Sequence, residues 1–381
     1  MFRSLAHSTF VLPFAPRACS GEILSSWLSR VGCRYDLGPA QILGCLDPKP
    51  EIFASSEIDW RMSRQEKGCL ATATRTDIAA VAKLDAASTH PRWEKHWFAL
   101  DSCGRDPWSE QDIYGNEFRW AWCSLCLTQE YCQTGQHYIQ LPWTLACVGY
   151  CHEHKQMLTN RCSCGATRRP VHVSEGSRTR LICVICEQPV AQQILKEARG
   201  PKRLDHAIDL QIAFERDLIA ALDGRTPVTT WCGPASNEQL LAVVDDIAYA
   251  ICKCATYGYP PPIEGFSSSY AHTGRFPDLP DMEHKLCVLS PFWRANAVAA
   301  ILSMIGSQDV CKIMSLDLDI CRSPTLRRLL DWRGSLEWML RQLALRDIRR
   351  LVARSPSWPD EVRARLDAGV AEVRKSGHYY D

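Results

Sequence analysis

The sequence predicts a mainly α-helical protein whose small β elements are confined to a cysteine-rich middle region. Three observations predict this class. Apolar residues recur at helical spacing in the first and last parts of the chain. That periodicity disappears in residues 116–190, where Cys, Trp, Gly and Thr become frequent. The length of 381 residues also favours two or three folding units over one.

The N-terminal part, residues 1–115, is predicted to consist of short helices. Ser20 is placed to cap a helix that carries Trp27 on its apolar face, and Pro39 suits the first turn of the next helix. A further helix is predicted between Thr76 and Leu84. Short helices joined by Gly-containing turns are compatible with a helix-turn-helix unit, although many all-helical domains share this pattern.

Helical periodicity returns after the cysteine-rich region, and residues 191–381 are predicted to form a C-terminal helical domain. Ile208 and Ile212, for example, lie on one face of a predicted helix. Three consecutive prolines, followed by a stretch rich in Gly and Ser, predict an extended linker near residues 258–270.

The charges of the chain nearly cancel, with 44 basic and 43 acidic residues and a net charge of +1. No field of the whole molecule therefore attracts nucleic acid or a membrane, and any basic surface must be local. No apolar run approaches the roughly 18 residues of a membrane helix. The apolar run near the N-terminus is short and interrupted by proline. The sequence therefore predicts a cytoplasmic protein without a membrane partner.

Twenty cysteines are unusual in such a chain. Disulfide scaffolds are typically short secreted domains, and this chain is long and shows no export signal. We therefore interpret scattered cysteines, such as Cys132 and Cys147, as small core residues and clustered ones as metal ligands.

Four pairs of candidate ligands follow one another at the spacing of zinc knuckles. Because two knuckles supply the four donors of a tetrahedral site, they predict two structural Zn²⁺ ions and small zinc-ribbon β elements. We favour sequential pairing of the knuckles, with interleaved pairing as the alternative. A chance cluster of buried cysteines would have to place eight donors at this spacing within 64 positions. The predicted ligands are Cys123, Cys126, Cys151 and His154 for one ion, and Cys162, Cys164, Cys183 and Cys186 for the other.

The order of these motifs resembles that of the TniQ family of transposition targeting proteins, which includes the TnsD-like target selectors. The resemblance extends to the N-terminus, where a Pro-rich segment (Pro13-Phe14-Ala15-Pro16) precedes an acidic residue, Glu22, and a Ser-Trp-Leu-x-Arg helix that ends at Arg30. It covers about the first half of the chain. The cysteine motifs that carry it are Trp122-Cys123-Ser124-Leu125-Cys126-Leu127, Tyr150-Cys151-His152-Glu153-His154, Cys162-Ser163-Cys164-Gly165 and Cys183-Val184-Ile185-Cys186.

This resemblance implies a non-catalytic adaptor that selects the target of a DNA transposon. Such a protein recognises target DNA directly or through a guide-RNA effector complex, and it recruits an AAA+ ATPase and a transposase. The length resembles the short type in the family, which often relies on a partner to choose the site. A homodimer is a further expectation, and the place of action would be the nucleoid in the bacterial cytosol. The residues themselves agree, because the sequence contains no P-loop and no set of residues that marks a catalytic site.

Two stretches are candidates for contact with nucleic acid. The first has five arginines against one acid, Glu175, and could meet phosphates, although ordinary surface arginines explain it equally well. The second, residues 322–381, has thirteen basic and eight acidic residues, and a solvent-exposed face with salt bridges is the favoured interpretation there. The arginines of the first stretch are Arg161, Arg168, Arg169, Arg178 and Arg180.

Two other classes of function are alternatives to the adaptor. One is a sequence-specific, zinc-containing DNA-binding protein or regulator that reads its site directly. Such a reader should bind a specific duplex by itself, with a steep dependence on salt. The other is a zinc-dependent or redox enzyme, which requires an open position on the metal or a reactive thiol. Two closed sets of four ligands disfavour that class.

Overall fold

The computed structural model describes most of the chain in separate stretches. The predicted linker near residues 258–270 lies outside the described residues. The described residues are 10–47, 58–99, 121–166, 168–192, 205–226, 231–256, 286–288, 291–307, 309–310, 313–314, 336–337, 339–341 and 343–376.

The chain divides into two compact units, each formed from three segments. The first unit comprises Met1–Lys95, Trp122–Trp143 and Arg161–Ile194. The second comprises His96–Ala121, Thr144–Asn160 and Leu195–Asp381. The sequence-based division at residues 115 and 190 stays a prediction.

The first unit is mostly helical, as the sequence predicts. It also holds one antiparallel hairpin, with β1 (Val171–Glu175) paired to β2 (Arg178–Ile182), and this is the only sheet in the part of the chain that the structure describes. Its helices are α1 (Leu24–Gly32), α2 (Pro39–Gly44), α3 (Ile58–Arg61), α4 (Arg64–Thr74), α5 (Ile78–Leu84), α6 (Ala86–Thr89) and α7 (Ser124–Thr134).

Local signals account for most of these helix boundaries. Pro39 occupies the first turn of α2, as predicted. Ser63 and Glu66 form a reciprocal capping box at α4, and Asp77 caps α5, which lies within the predicted segment from Thr76 to Leu84. The predicted cap at Ser20 is wrong. The chain turns at Gly21, whose φ is 72°, and α1 begins three residues later, with no side-chain cap.

The core of the first unit surrounds Trp27, which is fully buried with Leu24, Leu28 and other apolar side chains of α1 to α5. The indole nitrogen of Trp27 donates a hydrogen bond to the carbonyl oxygen of Pro16 at 2.8 Å. This contact explains why a Pro-rich segment precedes the helix, because the segment supplies the buried acceptor that an indole requires.

A buried ion pair links the two charged ends of the same motif. Glu22 and Arg30 are 2% and 0% exposed, and two hydrogen bonds of 2.8 and 2.5 Å join their carboxylate and guanidinium groups. Arg30 also donates to the carbonyl of Arg17 and to the side chain of Gln136. Burial opposes the charge on Arg30, but Glu22 raises the pKa of Arg30 above its usual value. The pair is therefore fully hydrogen-bonded, which a buried charge needs.

A second buried acid, Asp59 on α3, accepts hydrogen bonds from the amide and the hydroxyl of Ser25 at 2.7 and 2.6 Å. Burial raises the pKa of Asp59 to about 7, although the two hydrogen bonds from Ser25 oppose this increase. Asp59 thus ties α3 to the start of α1 at the cost of a poorly solvated carboxyl group.

The longer elements of the second unit are helices, whereas its residues 145–160 form turns and isolated β-bridges, one of them between Tyr150 and Met157. Phe214, Val243 and Val298 lie fully buried between its first three helices. None of the described helices is long and apolar enough to cross a membrane. The helices are α8 (Asp205–Leu222), α9 (Asn237–Thr256), α10 (Pro291–Ile305), α11 (Leu345–Arg354) and α12 (Asp360–Ser376).

Trp358 anchors the corner between α11 and α12 to α9. Its side chain is fully buried, and its indole nitrogen donates to the Asp246 carboxylate at 2.8 Å. Arg354, at the end of α11, forms an ion pair with the same carboxylate. Burial raises the pKa of Asp246, while these two partners favour its charged form.

We predict that Glu22→Gln lowers the free energy of unfolding of the full-length protein by about 3–5 kcal/mol, because it leaves Arg30 buried without a counter-charge. Chemical denaturation followed by circular dichroism measures this change. Glu175→Gln is the matched control, since the Glu175–Arg180 pair is largely exposed and should cost less than about 1 kcal/mol. Equal effects of the two substitutions would contradict the structural role of the buried pair.

We also predict a pH-dependent effect of Asp59→Asn. The pKa of Asp59 rises from 3.8 to about 7 on folding, so the folded state binds the proton more tightly and the contribution of Asp59 to stability falls as pH rises through that window. An amide at this position stays neutral and keeps one donor and one acceptor for Ser25. Relative to wild type, the variant should therefore gain stability between pH 4 and pH 7, measured as the difference in free energy of unfolding. A difference that is constant with pH would refute the assignment.

Candidate metal centres

The structure brings the eight predicted ligands into two groups of four. Within each group the ligand atoms all lie within 4.8 Å of one another, and most of the side chains are buried. The pairs combine in sequential order. The groups are Cys123, Cys126, Cys151 and His154, which we call the first cluster, and Cys162, Cys164, Cys183 and Cys186, which we call the second cluster.

The first pair of the second cluster lies on a tight turn. The amide of Gly165 donates to the carbonyl of Cys162, and the amide of Cys162 donates to the carbonyl of Ala166, both at 2.8 Å. Gly165 has a φ of 89°, which favours glycine, as the sequence indicates. The turn directs Cys162 and Cys164 towards one point.

The second pair of this cluster directly follows β2. The amide of Cys183 donates to the carbonyl of Gln188 at 3.0 Å, and the amide of Glu187 donates back to the carbonyl of Cys183 at 2.9 Å. Glu187 has a φ of 58°, in the left-handed region. The β-hairpin therefore delivers this knuckle to the cluster.

The pair Cys151 and His154 in the first cluster uses the same turn. The amide of Cys151 donates to the carbonyl of Gln156 at 2.7 Å, and the amide of Lys155 donates to the carbonyl of Cys151 at 2.9 Å. Lys155 has a φ of 53°. In both knuckles the residue after the second ligand is thus left-handed without being glycine, and the sequence gives no direct signal for it.

Cys123 and Cys126 lie at the beginning of α7. Cys123 is the residue before the helix, Cys126 lies in its first turn, and both side chains are buried. The unpaired amides of a helix N-terminus carry partial positive charge, which favours a thiolate over a thiol. The helix thereby orients two donors on one side and stabilises the form that binds metal.

The distances between donor atoms fit zinc. In the second cluster, the sulfurs of Cys162 and Cys186 are 3.4 Å apart and those of Cys164 and Cys183 are 3.8 Å apart. A tetrahedron with zinc–sulfur bonds of about 2.3 Å has edges of about 3.8 Å. In the first cluster, the sulfur of Cys151 lies 3.6 Å from Nδ1 of His154, where mixed zinc–sulfur and zinc–nitrogen bonds require about 3.6 Å. Both donor sets therefore suit tetrahedral Zn²⁺.

Backbone amides also point at the sulfurs. The amide of Ile185 donates to the sulfur of Cys183, and that of His154 donates to the sulfur of Cys151, both at 3.4 Å. Burial raises the pKa of Cys162 to about 12. At Cys183 burial acts in the same direction, but amide hydrogen bonds from Cys186 and Ile185 outweigh it and lower the pKa to about 7. Metal binding requires thiolates, and the amides favour them.

Glu215 on α8 positions the knuckle of Cys151, and this residue was not among those predicted from the sequence. The side chain is fully buried, and its carboxylate accepts hydrogen bonds from the amides of Gly149 and Tyr150 at 3.0 and 3.3 Å. The same carboxylate lies 3.1 Å from Nε2 of His152. Glu215 therefore fixes the backbone that precedes the ligand Cys151 and the side chain of His152 that follows it. The available signal was an acid on the apolar face of a predicted helix.

The five candidate DNA-binding arginines have different environments. Arg180 donates to the hydroxyl of Tyr131 at 2.7 Å and forms an ion pair with Glu175 at 3.2 Å. The guanidinium groups of Arg178 and Arg180 lie 5.7 and 4.8 Å from the centre of the Tyr131 ring. Two arginines of the hairpin are thus engaged with α7, and contact of this stretch with DNA stays a prediction. Arg168 and Arg169 lie in the segment between the second cluster's two ligand pairs, and Arg161 directly precedes the first ligand, Cys162.

We predict that the purified full-length protein contains two zinc ions per chain and that Cys183→Ser retains only one. The variant should also unfold at a much lower temperature, because the binding energy of a structural site is folding energy. Elemental analysis and thermal unfolding measure the two effects. Cys132→Ser is the matched control, since Cys132 belongs to neither cluster and is exposed, so its interpretation as a core residue was wrong. One zinc or less in the folded wild type, or full stability of Cys183→Ser, would refute this assignment.

Comparisons with known proteins agree with the resemblance seen in the sequence. The TniQ family model matches residues 13–158, which include the Pro-rich segment, the Trp27 helix and the first cluster. The second cluster lies beyond the matched range. No curated protein matches the chain. Residues 13–158 of the chain are therefore similar to the TniQ family, which is associated with transposition.

Proposed function

We propose that this protein is a non-catalytic target-selection adaptor of a DNA transposon. It links recognition of the target to an AAA+ ATPase and, through it, to a transposase. The observation that carries the proposal is the TniQ region at residues 13–158. The two donor clusters support it, because they suit a rigid scaffold for other components.

The composition of the clusters favours a structural role. Seven thiolates and one imidazole supply four protein donors to each of two ions. Bound zinc would cross-link the chain at these points, and four protein ligands leave no position for water or substrate. Chemistry on DNA is therefore assigned to the transposase, and ATP hydrolysis to the ATPase.

The distribution of charge supports site choice by a partner. The net charge of +1 provides no general attraction to DNA. In the hairpin, Arg180 forms an ion pair with Glu175 and donates a hydrogen bond to Tyr131 of α7, which leaves less of its charge available to phosphates. We propose that a partner, such as a guide-RNA effector complex, defines the target.

The first unit is proposed as the docking platform for these partners. Phe14 and Ile78 are large apolar side chains that stay exposed on it, at 58% and 43%. A partner that covers these side chains would remove apolar surface from water, which favours association. A homodimer with two-fold symmetry is the proposed assembly, since most oligomers close in this way.

The proposal predicts the outcome of a reconstituted transposition assay in which each component is omitted in turn. Omission of this protein should abolish targeted insertion, while the isolated protein should neither cleave nor join transposon ends. Alone, it should bind duplex DNA weakly, and a plot of log K against log salt should have a shallow slope because few phosphates are contacted.

Charge-reversal variants separate the adaptor from a direct reader of DNA. Arg161→Glu with Arg168→Glu tests the exposed arginines on either side of the second cluster's first ligand pair, and Arg225→Glu, also exposed, is the matched control in the second unit. For an adaptor, both variants should affect free DNA binding equally little. Tight binding of one defined duplex at physiological salt, lost only in the first variant, would establish the direct reader instead.

A further inference from the structure

A surface groove runs between α11 and α12 in the second unit. Its volume is about 370 Å³, and its floor consists of apolar side chains from both helices. Ile348, Val370 and Val373 form the buried part of the floor, while Leu345, Val352 and Ala353 reach the surface. The groove contains no cysteine, histidine or acid, so it belongs to neither metal cluster.

Two arginines, Arg349 and Arg374, complete the lining of the groove, one from each helix. Both are exposed, and neither forms an ion pair or hydrogen bond with any residue that the structure describes. The other cations of α11 and α12 all have partners: Arg350, for example, lies over the Tyr249 ring at 4.2 Å, and Arg363 pairs with Asp360 at 2.6 Å. The favoured interpretation of a salt-bridged face therefore holds for the rest of these helices, but not for the groove.

Buried contacts fix the two helices of the groove to α9 and α10. Trp358 fixes the corner between its two helices to Asp246, which also pairs with Arg354. Arg365 of α12 donates to the carbonyls of Ile305 and Gly306 at the end of α10, at 3.2 and 3.0 Å. Because both helices are anchored by residues outside the groove lining, a ligand meets a surface that is already formed, which lowers the entropic cost of binding.

The shape and charge of this surface select a class of ligand. An apolar floor lined by one exposed cation from each helix suits a helix that has an apolar stripe flanked by acids. Nucleic acid would need phosphate contacts without an apolar floor. A small molecule would need convergent polar groups, which this lining lacks. We propose that the groove between α11 and α12 binds an acidic amphipathic helix of a partner protein, with its apolar stripe on Ile348, Val370 and Val373 and its carboxylates on Arg349 and Arg374.

This inference is independent of the proposed role in transposition, because it rests only on the groove. A library of displayed helical peptides, about four turns long, is selected on the full-length wild-type protein and counter-selected on Ala353→Glu. That substitution places a carboxylate on the apolar floor. Ala368→Glu is the matched control, since Ala368 is also exposed but does not line the groove.

We expect the enriched peptides to carry apolar residues at helical spacing, flanked by Asp and Glu. Fluorescence anisotropy should show that they bind wild type and Ala368→Glu equally. Binding should weaken about tenfold or more in Arg349→Glu with Arg374→Glu, because attraction at two positions becomes repulsion. Replacing the acids of the peptide by lysine should restore part of the affinity for that double variant. Circular dichroism checks that all the variants are folded.

Three results would overturn the proposal. The first is enrichment of basic peptides, or none that distinguishes wild type from Ala353→Glu. The second is self-association of the protein that Ala353→Glu abolishes in analytical ultracentrifugation, which would assign the groove to a second copy of this chain. The third is displacement of the selected peptides by duplex DNA, with loss of DNA binding in the arginine double variant, which would assign it to nucleic acid.

Discussion

The convergence of four donors on one point is the constraint on which the account depends. Each cluster requires two ligand pairs that place sulfur or nitrogen atoms at tetrahedral spacing, and the turns around Cys151 and Cys183 and the beginning of α7 provide these positions. A structural zinc site contributes on the order of 10–16 kcal/mol of binding energy, comparable to the whole stability of a typical domain. Bound zinc would therefore stabilise the segments around the clusters, including the hairpin of β1 and β2, without a large apolar core.

Buried charges have a second role in fixing the same scaffold. The N-terminal motif has an acid before its helix and an arginine near its end because the side chains of Glu22 and Arg30, eight positions apart in the sequence, form a buried ion pair. Trp27, which lies between them in the sequence, is buried as well. Glu215 does the equivalent for the knuckle of Cys151 by accepting two backbone amides that no helix or strand could satisfy. Burial of each carboxylate carries a desolvation penalty, and several hydrogen bonds to the carboxylate offset it.

The sequence was sufficient wherever the signal is local. Ligand pairs two or three residues apart and the apolar stripe around Trp27 are visible within a few positions, and the structure confirms the stripe. The cap predicted at Ser20 was wrong, because the chain turns at Gly21 before α1 begins. The sequence was insufficient for contacts between distant segments. Glu215 meets residues that precede it by more than sixty positions, and nothing near Arg349 in the sequence shows that it has no ion-pair partner among the residues that the structure describes. The left-handed Lys155 and Glu187 were also hidden, since glycine is the usual sign of that conformation.

X-ray absorption spectroscopy at the zinc edge of the full-length protein tests the central claim most directly, because it reads the ligands of the metal itself. Averaged over the two clusters, each zinc should have three and a half sulfurs and half a nitrogen, with zinc–sulfur distances of about 2.3 Å and four ligands in total. This result would establish two closed structural sites. A shell of oxygen ligands, or fewer than three sulfurs per zinc, would show an open or differently composed site and would contradict the account of a non-catalytic scaffold.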